Sequence, residues 1–207
     1  MIKIKDQRKS LVAVYTGLFV LVSVFAPLVG TAHAAAAFNQ GSQPHQLLRV
    51  GHGSNSGTTN WSNSSINAEI GDAVSFAIFF NNNSGETAID TTVSLDVDVA
   101  GNGQSIDITA YLGADNASTI TDSVKVYLDG SGDFTGLDHL DTGQFDYTGT
   151  GSVGLSGSET DVLNSSGLDI GDIAPGNSHG GFVIVDFITE GTSGGGSGGR
   201  SGGGSGG

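Results

Sequence analysis

From Ala73 to Val99 the apolar residues keep a period of two. Val74, Phe76, Ile78 and Phe80 fall on one face. After a polar Asn-Asn-Asn-Ser-Gly stretch, Val93, Leu95, Val97 and Val99 alternate with Ser94, Asp96 and Asp98. A strand sends successive side chains to opposite faces, whereas a helix repeats every 3.6 residues, so this pattern predicts strands, the second with a wet, charged face. Asn and Gly at 81–85 tolerate positive φ and predict a turn, so the whole stretch reads as a hairpin. Gly101-Asn102-Gly103 predicts the next turn. Ile106, Ile108, Ala110 and Leu112 then repeat the alternation, as do Val124, Val126 and Leu128. The segment GFVIVDFIT at 181–189 is apolar on both faces, which predicts a central, covered strand.

No run keeps the helical period for three turns, and TDVLNSSGLDIGDI has room for one helical turn at most. Many short strands separated by Gly and Asn turns predict an all-β protein: one antiparallel sandwich whose two sheets bury a face each. Phe76, Ile78, Val93, Leu95, Val183 and Val185 are the expected core. The chain has no cysteine, so no disulfide can staple it, and thiol chemistry and cysteine-ligated metals are excluded. Residues 60–190 are the expected domain, and a chain of that size can bury a sufficient core by itself.

The two ends differ in kind. Lys3, Lys5, Arg8 and Lys9 precede an apolar run from Leu11 to Val29, and Ala32-His33-Ala34 supplies an A-x-A site. This reads as a signal peptide over 1–34, with export to the cell surface or beyond. Pro27 and the cleavage site argue against an uncleaved anchor. Residues 35–59 form a lead-in with one strand signal at Leu47–Val50. Residues 191–207 are a Gly/Ser-rich stretch without an apolar side chain, expected to be a disordered, flexible tail. Removing the leader leaves three basic and 20 acidic residues, a net charge of -17 against -14 for the whole chain. Such a chain repels phosphate backbones and anionic membranes, which excludes nucleic acid as a partner.

Few residues offer chemistry. Gly191-Thr192-Ser193-Gly194-Gly195 matches the G-x-S-x-G elbow without the strand and helix the elbow needs. His45, His52, His139 and His179 show no metal-ligand spacing. Paired carboxylates for glycoside hydrolysis lack a sugar-stacking cleft in the sequence. The single tryptophan, Trp61, reads as a core or sheet-edge anchor. No catalytic residue and no obligatory cofactor is expected. The stretch DGSGDFTGLDHLD at 129–141 places Asp129, Ser131 and Asp133 at alternate positions, with Asp138 and Asp141 near enough in sequence to complete an oxygen shell for calcium. It departs from the EF-hand loop, with Phe134 where glycine is needed and Leu140 where glutamate is needed, and the competing expectation is a solvated hairpin turn.

The stretch NWSNSSINAEIGDAVSFAIFFNNNSGETAIDTTVSLDV resembles the start of a conserved-repeat domain of bacterial surface proteins, the family called domain of unknown function eleven. Gly71-Asp72, Asn81 to Asn83 and Thr92-Val93 carry the resemblance. GDIAPGNSHGGFVIVDF is similar to the family's closing turn and strand through Gly171, Ile173, Pro175 and Gly176. The resemblance covers about 60–190 and is weaker over 125–165. It implies an immunoglobulin-like β-sandwich at the surface of a bacterial cell, without known catalytic residues. The expected role is a non-enzymatic structural or adhesive module that meets the cell envelope or other surface proteins. The alternative is self-assembly: a filament subunit whose lead-in strand completes a neighbour's sheet.

Overall fold

The computed structural model of the chain describes residues 35–40, 46–53, 60–147, 151–154, 159–176 and 179–194. The expected signal peptide and residues 195–207 lie outside them. Among the described residues the strands are β1 (Leu48–His52), β2 (Ser65–Ala68), β3 (Ala73–Asn81), β4 (Ala88–Val99), β5 (Ser105–Ala114), β6 (Ala117–Leu128), β7 (Gly132–Tyr147), β8 (Gly151–Gly154), β9 (Leu168–Ile173) and β10 (Gly180–Ser193). One 3-10 helix, Glu159–Leu163, lies between β8 and β9.

The strands form two five-stranded sheets in a β-sandwich. The first has the order β1-β3-β10-β7-β8 and the second β2-β6-β5-β4-β9. Every pairing is antiparallel except β2 with β6, which is parallel. The dry faces expected from period two are buried over most of their length, with Val97, Val99 and Leu128 only half-buried, and in β3 Ser75 and Ala77 of the opposite face are buried as well. Val74, Phe76, Ile78 and Phe80 are fully buried, as are Val93, Ile106, Ile108, Leu112, Val183 and Val185, and Leu95 is nearly so. Phe76 and Phe187 meet edge to face at 5.7 Å in the middle of this core.

Three expectations need correction. The stretch 71–99 is not a hairpin: β3 belongs to the first sheet and β4 to the second, so Asn82–Thr87 is a crossover between layers. The Asp-rich segment is not a hairpin turn either. Asp129–Ser131 links β6 to β7 across the sandwich, and residues from Gly132 onward lie inside the 16-residue strand β7. A register shift between Glu190 and Gly191, against Gly136 and Phe134, breaks the alternation there and hides the strand from a periodicity reading. Finally, β10 runs through Gly191, Thr192 and Ser193, which the sequence groups with the tail, and pairs them with Phe134, Asp133 and Gly132. Gly191 is required for this approach, because a Cβ there would lie 2.5 Å from the Asp133 carbonyl oxygen. β10 is central, between β3 and β7, as its two apolar faces predict.

The lead-in is built into the sandwich. β1 pairs residues 48–52 with 78–74 of β3. Ahead of it, Asn39 donates its side-chain amide to the Phe79 carbonyl at 2.9 Å and accepts from the Asn81 N–H at 2.8 Å. Gln40 N–H donates to the Asn83 side chain, and Asn83 N–H to the Ala37 carbonyl. Two separate pieces of the lead-in therefore cover the β3 edge from Val74 to Asn83. Ala36 and Phe38 are each only 3% exposed. The first bridges Ala117 in the second sheet and the second bridges Asn82 at the end of β3.

Asn82 and the turn at Ile173 to Gly176 meet in space. Asn82, fully buried, donates its side-chain amide to the carbonyls of Glu86 and Ile173, both at 2.8 Å, and its backbone carbonyl accepts from Gly176 N–H at 2.9 Å. Thr189, 1% exposed, accepts from the N–H groups of Gly71 and Asp72 through its hydroxyl and donates it to the Glu69 carbonyl at 2.6 Å. Gly71 there has φ +95°, a left-handed conformation that costs glycine little.

Candidate functional site

The second sheet turns its buried alternation inward and its polar alternation outward. On that outer face Ser94 of β4 stands opposite Tyr111 of β5, and Thr92 opposite Gly113. Tyr111 stands in turn opposite Thr121 of β6. A groove of about 520 Å³ runs here, with Thr92, Ser94 and Asp96 on one strand, Tyr111 and Gly113 on the next, Thr119 beyond, and Leu163 to Ser166 as its wall. Tyr111 and Leu163 are 36% and 38% exposed, among the most exposed large apolar side chains of the described residues.

Local chemistry holds the wall over the floor. Val162 is fully buried and anchors the 3-10 helix in the core, which leaves its neighbour Leu163 facing out. Asn164 N–H donates to the Asp161 carbonyl at 3.0 Å, its side-chain amide to the Asp161 carboxylate at 3.1 Å, and Gly167 N–H to the Asn164 carbonyl at 2.9 Å. Gly167 has φ +73°, and a Cβ on it would lie 2.9 Å from the Val93 carbonyl oxygen, so only glycine lets the loop close onto β4. The floor is flat beside Tyr111 for a similar reason: a Cβ at Gly113 would lie 2.8 Å from the Thr119 hydroxyl.

The lining is therefore hydroxyl-rich, with one amide, one carboxylate and one exposed aromatic ring. Hydroxyls and amides both donate and accept, and the ring offers an apolar plane with a polar tip. Lower on the same face, Lys125 Nζ pairs with Asp107 Oδ1 at 2.7 Å, where Asp107 also stands opposite Asp98. The hydrogen bond from Lys125 to Asp107 holds the lysine above its ordinary value, with partial desolvation opposing it.

The first sheet carries a smaller apolar hollow of about 150 Å³ on its outer face, lined by Arg49, Trp61, Ala77, Phe182 and Ile184. The Phe79 and Phe182 rings lie beside each other, tilted at 52° with centroids 5.0 Å apart. Trp61 is half-buried at this face.

The residues singled out for calcium are spread along the chain. Asp129, Ser131 and Asp133 are exposed around the β6–β7 link. Asp133 accepts a hydrogen bond from Gln104 Nε2 at 3.3 Å, and Gln104 also donates to the Gly132 carbonyl at 3.0 Å. Asp138 lies further along β7, opposite Ile188, about 15 Å from Asp133 at the usual rise of a strand. The backbone of Asp141 lies in β7, and its side chain is outside the described ones. Among the described residues, no group of three or more histidine, cysteine, aspartate or glutamate side chains is placed to hold a metal ion. His52 is exposed, His139 packs edge-on against Phe187 at 5.7 Å, and His179 Nδ1 lies 2.9 Å from the Pro175 carbonyl. His45 is outside the described residues.

The groove escapes a reading of the sequence because its parts look ordinary one by one. Thr92, Ser94 and Tyr111 occupy polar slots of alternating strands, and the Asn-Ser-Ser wall lies some fifty residues away in the chain. The one usable signal is Tyr111 in the wet register of β5, two residues before a glycine. No family model, no curated protein and no solved structure matches this chain.

Proposed function

We propose that the chain is a non-enzymatic β-sandwich module, exported and displayed at a bacterial cell surface, with a structural or adhesive role toward the cell envelope or other surface proteins. The observation that supports it most is the groove over β4 and β5. It offers many neutral hydrogen-bonding groups on a rigid sheet, with Asp96 as the single carboxylate among its described lining residues. That is the chemistry of a binding surface rather than of a paired acid and base. The leader-like first 34 residues and the family resemblance over 60–190 point the same way. Protease treatment of intact cells, followed by immunodetection, tests it: the chain is expected to be trimmed while a cytosolic marker survives. Full protection until the cells are lysed would sink the reading.

A second reading, assembly into a filament by strand exchange, draws on the lead-in. The whole β3 edge is filled by residues 37–40 and 48–52. The same residues from another copy would satisfy the same bonds. Arg49 and Ala77 face each other across β1 and β3, and the chain has no cysteine of its own. An oxidised Arg49→Cys/Ala77→Cys variant locks β1 to its own β3 and is expected to stay monomeric while the reduced form polymerises. Filaments of the oxidised form in electron micrographs would exclude exchange.

A further inference from the structure

We infer that the groove over β4 and β5 is a binding site for a neutral carbohydrate, a short stretch of polysaccharide or an oligosaccharide. The inference rests on the adhesive reading of the same groove and names the chemistry it would recognise. Its volume of about 520 Å³ lies in the range of ordinary small-molecule sites and has room for more than a monosaccharide.

The lining selects the ligand class. A sugar presents hydroxyls that each donate and accept, around a ring whose C–H face is apolar. Ser94 and Thr92 stand beside the exposed Tyr111 ring, one opposite it and one opposite the neighbouring Gly113. Hydroxyls that can rotate to either role thus border an aromatic plane. The missing side chain at Gly113 leaves that plane accessible from one end, and Leu163 supplies a second apolar contact across the groove. Asp96 and Asn164 add fixed polar partners at the rim.

Other classes fit less well. No lysine or arginine lines the groove, and a chain with 20 acidic residues after its leader would repel a phosphate or an acidic sugar. A metal ion would find one carboxylate. A wholly apolar ligand would strip water from seven polar side chains without replacing their hydrogen bonds.

The test uses the chain from Ala35 to Gly207 on a microarray of neutral and anionic glycans, followed by calorimetric titration with the neutral oligosaccharide retained best. Tyr111→Ala is expected to weaken binding about tenfold or more, since a stacking aromatic acts as a hot spot. Tyr111→Phe keeps the ring and is expected to keep most of the affinity. Tyr127→Ala removes a somewhat more exposed tyrosine outside the groove and is expected to leave binding unchanged. Tyr111 is exposed, and melting temperatures of all three variants should match the wild type. Retention of anionic glycans only, of no glycan, or equal losses for Tyr111→Ala and Tyr127→Ala would each overturn the inference. Surface display is read independently by protease accessibility, so a failed glycan assay with an accessible chain discards the ligand and leaves the display reading standing.

Discussion

Phe38 and Asn82 form an antiparallel bridge in which Phe38 is 3% exposed and Asn82 fully buried. A residue four positions beyond the expected cleavage site thus closes the same corner at which β3 leaves one sheet and the chain crosses to the other. The order of the lead-in and the integrity of the sandwich are coupled through this contact.

Phe38→Ala should therefore behave as a core mutation rather than a terminal one. Truncating a buried phenylalanine costs about 3 kcal/mol or more. In a domain of this size that lowers the melting temperature by on the order of 10 °C. Calorimetry of residues 35–207 checks it, and a drop of under about 2 °C would mean that the lead-in is not docked in solution.

Asn82→Ala leaves the carbonyls of Glu86 and Ile173 without the amide that both accept from. The Ile173 carbonyl is the buried acceptor that loses its donor, while the exposed Glu86 carbonyl keeps the Ser84 hydroxyl, so the loss should cost about 1–3 kcal/mol. Asn82→Asp keeps the size but turns a carboxylate toward those carbonyls, so chemical denaturation should show it at least as unstable as the alanine variant at neutral pH. An aspartate variant as stable as wild type would contradict the assigned amide orientation.

Two truncations separate tail from strand. Removing residues 195–207 deletes no apolar side chain and should leave the melting temperature unchanged. Removing 191–207 also deletes the partners of Gly132, Asp133 and Phe134 and should cost about 1–2 kcal/mol. Equal melting temperatures for both truncations would place the end of β10 at Glu190.

Calcium, magnesium and sodium chloride at matched ionic strength should raise the melting temperature equally. Asp133 is engaged by Gln104, and Asp138 stands several residues further along the strand, so what remains is general screening of a very acidic chain. A calcium-selective shift that Asp133→Ala abolishes would establish a calcium site at the β6–β7 link.

Lys125 gains its partner on folding, so its folded pKa lies above the ordinary 10.5. A group raised in this way contributes stability that is complete below the ordinary value and is lost as pH rises through the folded one. The pair is exposed, so the contribution is small and salt-sensitive. The melting difference between wild type and Lys125→Met should accordingly shrink at strongly alkaline pH and in high salt. A difference that grows with pH would reverse the sign.

Much of the sandwich was legible in local pattern. The dry faces of β3, β4, β5 and β6 follow from period two, because a strand cannot hide one face without alternating. The two-faced apolar run at 181–189 marks β10 as central for the same reason. Single helical periodicity was absent, and the structure accordingly holds one 3-10 turn among the described residues. What periodicity cannot say is which sheet a dry face belongs to. β3 and β4 bury the same side chains whether they pair as a hairpin or face each other across the core, and the choice rests on the ties of Asn82 to Ile173 and Gly176, some ninety residues away. β7 was hidden because its hydrogen bonds to β10 are made by backbone, to which its glycines and aspartates are no obstacle, and because a bulge interrupts its alternation. The groove belongs wholly to tertiary structure. Tyr111, Gly113 and the loop at Asn164 become a site only when Val162 enters the core and Gly167 lets the chain close on β4, and neither event leaves a pattern in the sequence around Tyr111.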